Sequence, residues 1–230
     1  MSEKGTRWRP LELFSAYLPA ALSVLLGACL YITFSVGQWR SLDVPSWDLA
    51  IFTEAAKSYS HFQAPIVPVK GPGYNLLGDH FHPILVLLGP IYRLFPSGLT
   101  LLVVQDLLIA VSAWPLVRLA TKQAGWLLAS IIGIGYVTAW GFQGAVASQF
   151  HEIAFALPML AWASAAFVEG RWVATMAWSA PLVLVKEDLG LTIMMIGLIL
   201  SWRGRDSIKS FAYPLFFAAF GVIAFVVTIK

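Results

Sequence analysis

Pro83-Ile84-Leu85-Val86-Leu87-Leu88-Gly89-Pro90-Ile91-Tyr92-Arg93-Leu94-Phe95-Pro96 is the stretch on which the topology of this chain turns. It is apolar apart from Arg93, but fourteen residues make only about 21 Å of helix, short of the roughly 30 Å hydrocarbon core of a bilayer. If the stretch crossed, the basic connections farther along would divide between the two sides. If it lies in the interface or re-enters, Leu99–Val117 and Gly125–Gly141 cross in turn. Lys4, Arg7, Arg9, Arg118, Lys122, Arg171, Arg203, Arg205 and Lys209 then share one side, nine of the fifteen Lys and Arg residues. All nine sit in short connections, where the positive-inside rule is strongest. The interfacial reading follows.

Composition agrees with a bilayer environment. The chain is 59% hydrophobic and 12% charged, with ten Trp and a mean hydropathy of +0.76. These values describe an integral membrane protein and exclude a nucleic-acid-binding domain. The formal charge of +3 is sorted by side and reports topology. The single Cys29 lies within the first apolar run, so neither an intramolecular disulfide nor a Cys-based metal site is expected.

The fold class expected is all-α, a polytopic transmembrane helical protein of about seven spans. Tyr17–Gly37 is about 30 Å long as a helix, longer than a signal-peptide core, and no clear small-residue cleavage site follows it. With the basic arm 1–10 in the cytoplasm, the chain is a multi-pass protein of the cell membrane with a cytoplasmic N-terminus. Later crossings are Ile153–Val168, Trp172–Val185, Leu189–Trp202 and Phe211–Ile229. Residues 1–230 read as one transmembrane domain in contact with membrane lipid. The stop directly after the last span gives the expectation of a fragment or a short member of a larger architecture. The many Trp and Tyr residues are assigned to interfacial belts.

Residues 38–98 form an outer loop with juxtamembrane helices. Trp39–Pro83 concentrates Asp43, Asp48, Glu54 and Asp79 together with His61, His80 and His82. Ser46 can cap a short interfacial helix through about Tyr59. Gln63–Tyr74, with Pro65, Pro68, Gly71, Pro72 and Gly73, cannot be continuous helix. The same parity puts Gln149-Phe150-His151-Glu152 and Lys186-Glu187-Asp188 on the outer face. The two segments flanking that triplet have fourteen residues each, so the triplet sits below the membrane surface. One charge at the bilayer centre costs about 2.5–3.5 kcal/mol on insertion scales, so three adjacent charges must face a polar cavity or protein partners.

Each candidate has two readings. Asp48 either caps or hydrogen-bonds within a surface helix or is a catalytic carboxylate. Asp79, His80 and His82 are either solvated loop residues before a Pro-started helix or, with His151, ligands of a divalent metal such as Mn, Mg or Zn. Lys186, Glu187 and Asp188 either compensate one another or line a cavity together with Glu152.

Several of these motifs carry a resemblance. Trp47-Asp48-Leu49-Ala50-Ile51-Phe52, the run from His82-Pro83-Ile84-Leu85 to Tyr92-Arg93-Leu94-Phe95, and Leu184-Val185-Lys186 resemble the GT-C superfamily of membrane glycosyltransferases. Gly78-Asp79-His80-Phe81-His82-Pro83, Gln149-Phe150-His151-Glu152 and Val185-Lys186-Glu187-Asp188-Leu189-Gly190 resemble more closely a bacterial family of polytopic membrane proteins, of uncharacterised activity, grouped with that superfamily. The resemblance implies a GT-C-like fold and transfer of a sugar from a polyprenyl-phosphate donor to an acceptor on the outer face. It places Asp48 as general base on the acceptor hydroxyl. Positive charge for the departing lipid phosphate comes from Lys186, from Arg93, or from a metal on Asp79, His80 and His82. The competing expectation is a non-catalytic transporter or flippase of lipid-linked or small polar substrates, with the same charges lining a path.

Overall fold

The computed structural model describes residues 10–43 and 47–229. Lys4, Arg7 and Arg9 of the basic arm and the proposed cap Ser46 lie outside the described residues. Nine α-helices occur among the described residues: α1 (Pro10–Ser41), α2 (Asp48–Ser60), α3 (Leu88–Leu94), α4 (Gly98–Val137), α5 (Trp140–Ala147), α6 (Ala156–Val168), α7 (Trp172–Ser179), α8 (Leu189–Arg203) and α9 (Ile208–Thr228). Short 3-10 turns at Pro83–Leu87, Glu152–Phe155 and Ala180–Leu184 lead into or extend the apolar helices. Three units are long and apolar enough to cross a membrane: Tyr17–Ser41, the folded unit Gly98–Ala147, and Ile208–Thr228. Pro83–Leu94, Glu152–Val168, Trp172–Leu184 and Leu189–Arg203 are shorter.

The connection expected between Val117 and Gly125 is helical instead. Arg118 and Lys122 stay within α4, and the break falls at Gly125, with φ 77° and ψ 171°. Only glycine occupies that region without strain. The chain reverses there. The Ser112 hydroxyl meets the Tyr136 hydroxyl at 2.8 Å across a separation of 24 residues, which a straight helix would hold about 36 Å apart. α1 packs into this hairpin through small residues, and a Cβ on Gly27 would lie 3.1 Å from Val137 Cγ1. The Tyr31 hydroxyl ties the two by donating to the Val137 carbonyl at 2.6 Å.

Two ends of the bundle are thereby defined. At the turn end, Lys122 pairs with Glu169 at 2.5 Å and Arg171 pairs with the same carboxylate at 2.6 Å. Arg203 stacks there over Phe167 and Trp172, 4.7 and 5.8 Å from the ring centroids. The opposite end, the loop face, carries α2, α3 and the segments around Phe150 and Val185. Pro83–Leu94 stays on this face. Gly89 packs against α2 so closely that a Cβ would come within 2.9 Å of the Tyr59 carbonyl, and α4 starts at Gly98 against Trp39 and Thr53. The largest buried apolar cluster lies here, with Phe52, Leu85, Leu101, Phe150, Leu182 and Ile193 among its members.

α8 and α9 pair by backbone contact, as membrane helices do when small residues line the interface. A Cβ on Gly197 would fall 2.6 Å from both Ala218 N and the Pro214 carbonyl. Gly197→Val should therefore force the two helices apart and cost about 1–3 kcal/mol, read as a lowered unfolding temperature in detergent. An unchanged transition would mean that this contact contributes little.

Sidedness is checked by labelling. In a Cys29→Ser background, single cysteines at Gly73 and Ser148 should react with a membrane-impermeant reagent from the same side, and a cysteine at Lys122 from the other. Reaction of the first two from opposite sides is incompatible with this arrangement.

Candidate functional site

Phe52 organises the loop face. It is buried, one helical turn after Asp48 on α2, and its ring makes edge contacts with His82, Phe150 and His151 at centroid distances of 6.1, 5.3 and 6.5 Å. This brings α2, the start of the Pro83 turn and the second loop to one point. The third loop joins through charge. Lys186 Nζ lies 3.3 Å from Glu152 Oε1, His80 Nδ1 lies 2.8 Å from Glu187 Oε1, and the Phe81 amide donates to Glu187 Oε2 at 3.0 Å. Asp48, His80, His82, His151, Glu152, Lys186 and Glu187 are thus neighbours in space.

The cluster is graded in depth. Asp48 and His151 side chains are 43% and 38% exposed and face each other, Nε2 to Oδ2, at 3.4 Å. Behind them Lys186 is 32% exposed and Glu152 only 8%. His151 Nδ1 lies 3.2 Å from the Gln149 carbonyl. A carbonyl can only accept, so Nδ1 carries a hydrogen and Nε2 is the nitrogen turned to Asp48. With a proton on Nε2 the pair attracts. Without it, two acceptors point at the same place, where a hydroxyl of a bound molecule can donate.

Gln105 of α4 shapes this loop. It accepts from the His151 amide at 2.8 Å and donates to the Gln149 carbonyl at 2.8 Å. Gln149 sits at φ 68°, a left-handed conformation uncommon for a side-chain-bearing residue. Its own amide holds the Asp43 carbonyl at 3.1 Å. Sequence reasoning missed Gln105 and its neighbour Asp106, which is fully buried. The signal was present as a polar pair inside the apolar run Leu99–Val117.

Other expected site residues are placed elsewhere. Arg93 stands at the far end of α2 with Lys57, His61 and Tyr92, lining a separate cavity of about 410 Å³. Asp188 is exposed at the N-cap of α8 without a capping hydrogen bond. Asp79 is held by Lys70, which also lies 4.9 Å from the Tyr74 ring centroid. The hydrogen-bonded Lys70 ammonium keeps the Asp79 carboxyl below its usual range. The four expected metal ligands therefore have separate engagements: Asp79 with Lys70, His80 with Glu187, His151 with Asp48, and His82 buried against Phe52. Among the described residues no group of three or more His, Cys, Asp or Glu side chains could hold one ion.

Two ionisable groups here are displaced from their ordinary values. Burial pushes the Glu187 carboxyl up, but hydrogen bonds from His80 and the Phe81 amide outweigh it and hold the group low. Burial pulls the His82 imidazole down against the opposing attraction of Glu152, and its Nδ1 has no hydrogen-bond partner among the described residues. His82 is thus retained neutral. Its folded value is below the ordinary 6.5, so its stabilising contribution is complete above that pH and is lost as the pH falls, when the unfolded chain takes up a proton first. Thermal unfolding should show this loss beginning near 6.5 in the parent chain and reduced in His82→Gln. An identical acid profile in the two proteins would remove His82 from the effect.

No curated protein and no solved structure matches the chain. Residues 38–230 match the family model described as "Predicted membrane protein (DUF2079)", and that span holds every residue of the loop-face cluster. The chain belongs to this family of predicted membrane proteins.

Proposed function

We propose that this protein is a GT-C-like membrane glycosyltransferase that moves a sugar from a polyprenyl-phosphate donor to an acceptor hydroxyl on the outer face of the cell membrane. The carrying observation is the juxtaposition of the Asp48–His151 pair with the Lys186–Glu152 pair around Phe52. Such a transfer requires a base and a phosphate-binding cation, and in this reading Asp48 and Lys186 take those roles. In this reading the loop face is outer, the N-terminus is cytoplasmic and the chain crosses about seven times, with the shorter apolar helices completing the crossings.

The acceptor O–H donates to Asp48 and loses its proton there as its oxygen forms the new bond to the sugar's anomeric carbon. The bond from that carbon to the phosphate oxygen breaks, and the phosphate leaves as the anion. General-base assistance contributes roughly two to four orders of magnitude. His151, beside the carboxylate, orients it and can receive the proton afterward. Lys186 answers the charge of the leaving phosphate. No step draws on Arg93 or on a metal ligand set.

A transporter or flippase is the second reading, favoured by one observation, the buried carboxylate of Asp106 inside α4. Purified protein supplied with labelled sugar on polyprenyl phosphate separates the two. Asp48→Asn keeps size and most hydrogen bonds but removes the base, so transfer should fall by about 100- to 10,000-fold while donor binding persists. Full transfer by that variant would take Asp48 out of the mechanism. No transfer by the parent chain over several donors would favour the carrier.

A further inference from the structure

Asp106 presents a charge-balance problem that is independent of the loop-face cluster. It lies in the first leg of α4, is 0% exposed, and both its carboxylate oxygens lack a hydrogen-bond partner among the described residues. None of the ion pairs among those residues includes it. An ionised carboxylate left bare inside a protein or bilayer is not sustained: it is paired, bound to a cation, or protonated. Pairing has no source nearby. α5 and α6 contain no Lys or Arg. Arg118, on the same helix, is about 18 Å along the axis and stacks over Tyr17. Arg40 of α1 is exposed, and Lys186 is held by Glu152.

One oxygen donor stands against Asp106, and a second lies on the same face of α1. Ser35 of α1 is set against the carboxylate, but its hydroxyl makes no hydrogen bond of acceptable geometry. Gln38, one turn farther on the same face of α1, donates through Nε2 to the Ala147 carbonyl at 2.9 Å, which leaves its buried Oε1 without a partner. A hydroxyl and an amide oxygen on one face of α1, both without a hydrogen-bond partner among the described residues, and a carboxylate on α4 are hard oxygen donors of the kind a small cation takes. The titratable groups on the packed elements do not supply a counter-charge. Tyr31 donates to the Val137 carbonyl and Tyr136 is engaged with Ser112. Toward the loop face, Glu152 is itself an acid and takes up Lys186.

We propose that Asp106, with Ser35 and Gln38, is an intramembrane binding site for a small monovalent cation, a proton or an alkali metal ion. The site lies between α1 and α4, the helices whose packing carries Gln105 and the loop that it shapes, so its occupancy bears on the bundle and not only on itself.

The test is thermal unfolding of the purified full chain in detergent, comparing NaCl, KCl and LiCl with choline chloride at constant ionic strength, at acid and alkaline pH. A His82→Gln background removes the imidazole contribution. If the ligand is an alkali ion, one of these salts raises the unfolding midpoint saturably and choline does not. If it is a proton, salt identity has no effect and the midpoint falls as pH rises. In either case the dependence should vanish in Asp106→Asn. Ser35→Ala should shift the half-saturating ion or proton concentration by about tenfold. The proposal is overturned if the parent chain shows neither dependence or if Asp106→Asn retains it. Should Asp106→Asn fail to fold, an unchanged half-saturation point in Ser35→Ala overturns it.

Discussion

Hydrocarbon supplies neither hydrogen bonds nor counter-charges, and nearly every departure of this chain from simple helix follows from that constraint. At Glu152 and at Lys186 and Glu187 the α-helices stop short and the chain folds over itself. Lys186 and Glu187 sit between a 3-10 turn and α8, and both point to residues of other loops. Glu152 is buried, yet it is buried against Lys186. Removing Lys186 would leave the Glu152 carboxylate buried without its counter-charge. The loops are therefore held together by charge pairs between them.

The apolar cluster under the loops serves a related purpose. Phe52 touches His82 and His151 with its edge while Phe150 packs on it, so two imidazoles are fixed in orientation by an aromatic ring rather than by hydrogen bonds alone. α2 makes this possible by lying across the bundle end, with Leu49, Phe52, Ala55 and Ala56 turned inward. α3 presses against it where Gly89 meets Tyr59. The long stretch 63–79 is ordered by short-range ties. Val67 N donates to the Tyr74 carbonyl at 2.8 Å, Leu76 N donates to the Pro65 carbonyl at 3.0 Å, and Glu54 receives the Val69 amide at 3.0 Å.

Length and charge arguments carried far in the sequence because they concern single segments. The shortness of Pro83–Pro96 and the need to shelter Lys186-Glu187-Asp188 from lipid are properties of the segments themselves. Pairings are not. Nothing in the motif Gly78-Asp79-His80-Phe81-His82-Pro83 says that Asp79 goes to Lys70, nine residues back, while His80 goes to Glu187, 107 residues on. The fold gives Asp79, His80, His82 and His151 different partners, which the spacing of their motifs does not reveal. Arg93 was grouped with the cluster for its charge, though α2 separates the two places. Gly125 was taken as the start of a crossing when its positive φ makes it the turn itself. Asp106 escaped because one acid does little to the mean hydropathy of a long apolar run.

Buried Asp106 and the loop-face cluster are connected through a single residue. Gln105 uses both ends of its amide on the loop, accepting from His151 and donating to Gln149 and to the Ala145 carbonyl, and the next residue in the helix is the uncompensated acid. A shift of α4 relative to α1 that improved the surroundings of Asp106 would carry Gln105 with it. The His151 amide and the Gln149 carbonyl, which fixes the imidazole, are bonded to that side chain and would have to follow. His151 faces Asp48 across only 3.4 Å, so a displacement of well under one helical turn changes their contact. One glutamine side chain thus joins the helix that carries the buried acid to the loop that carries His151.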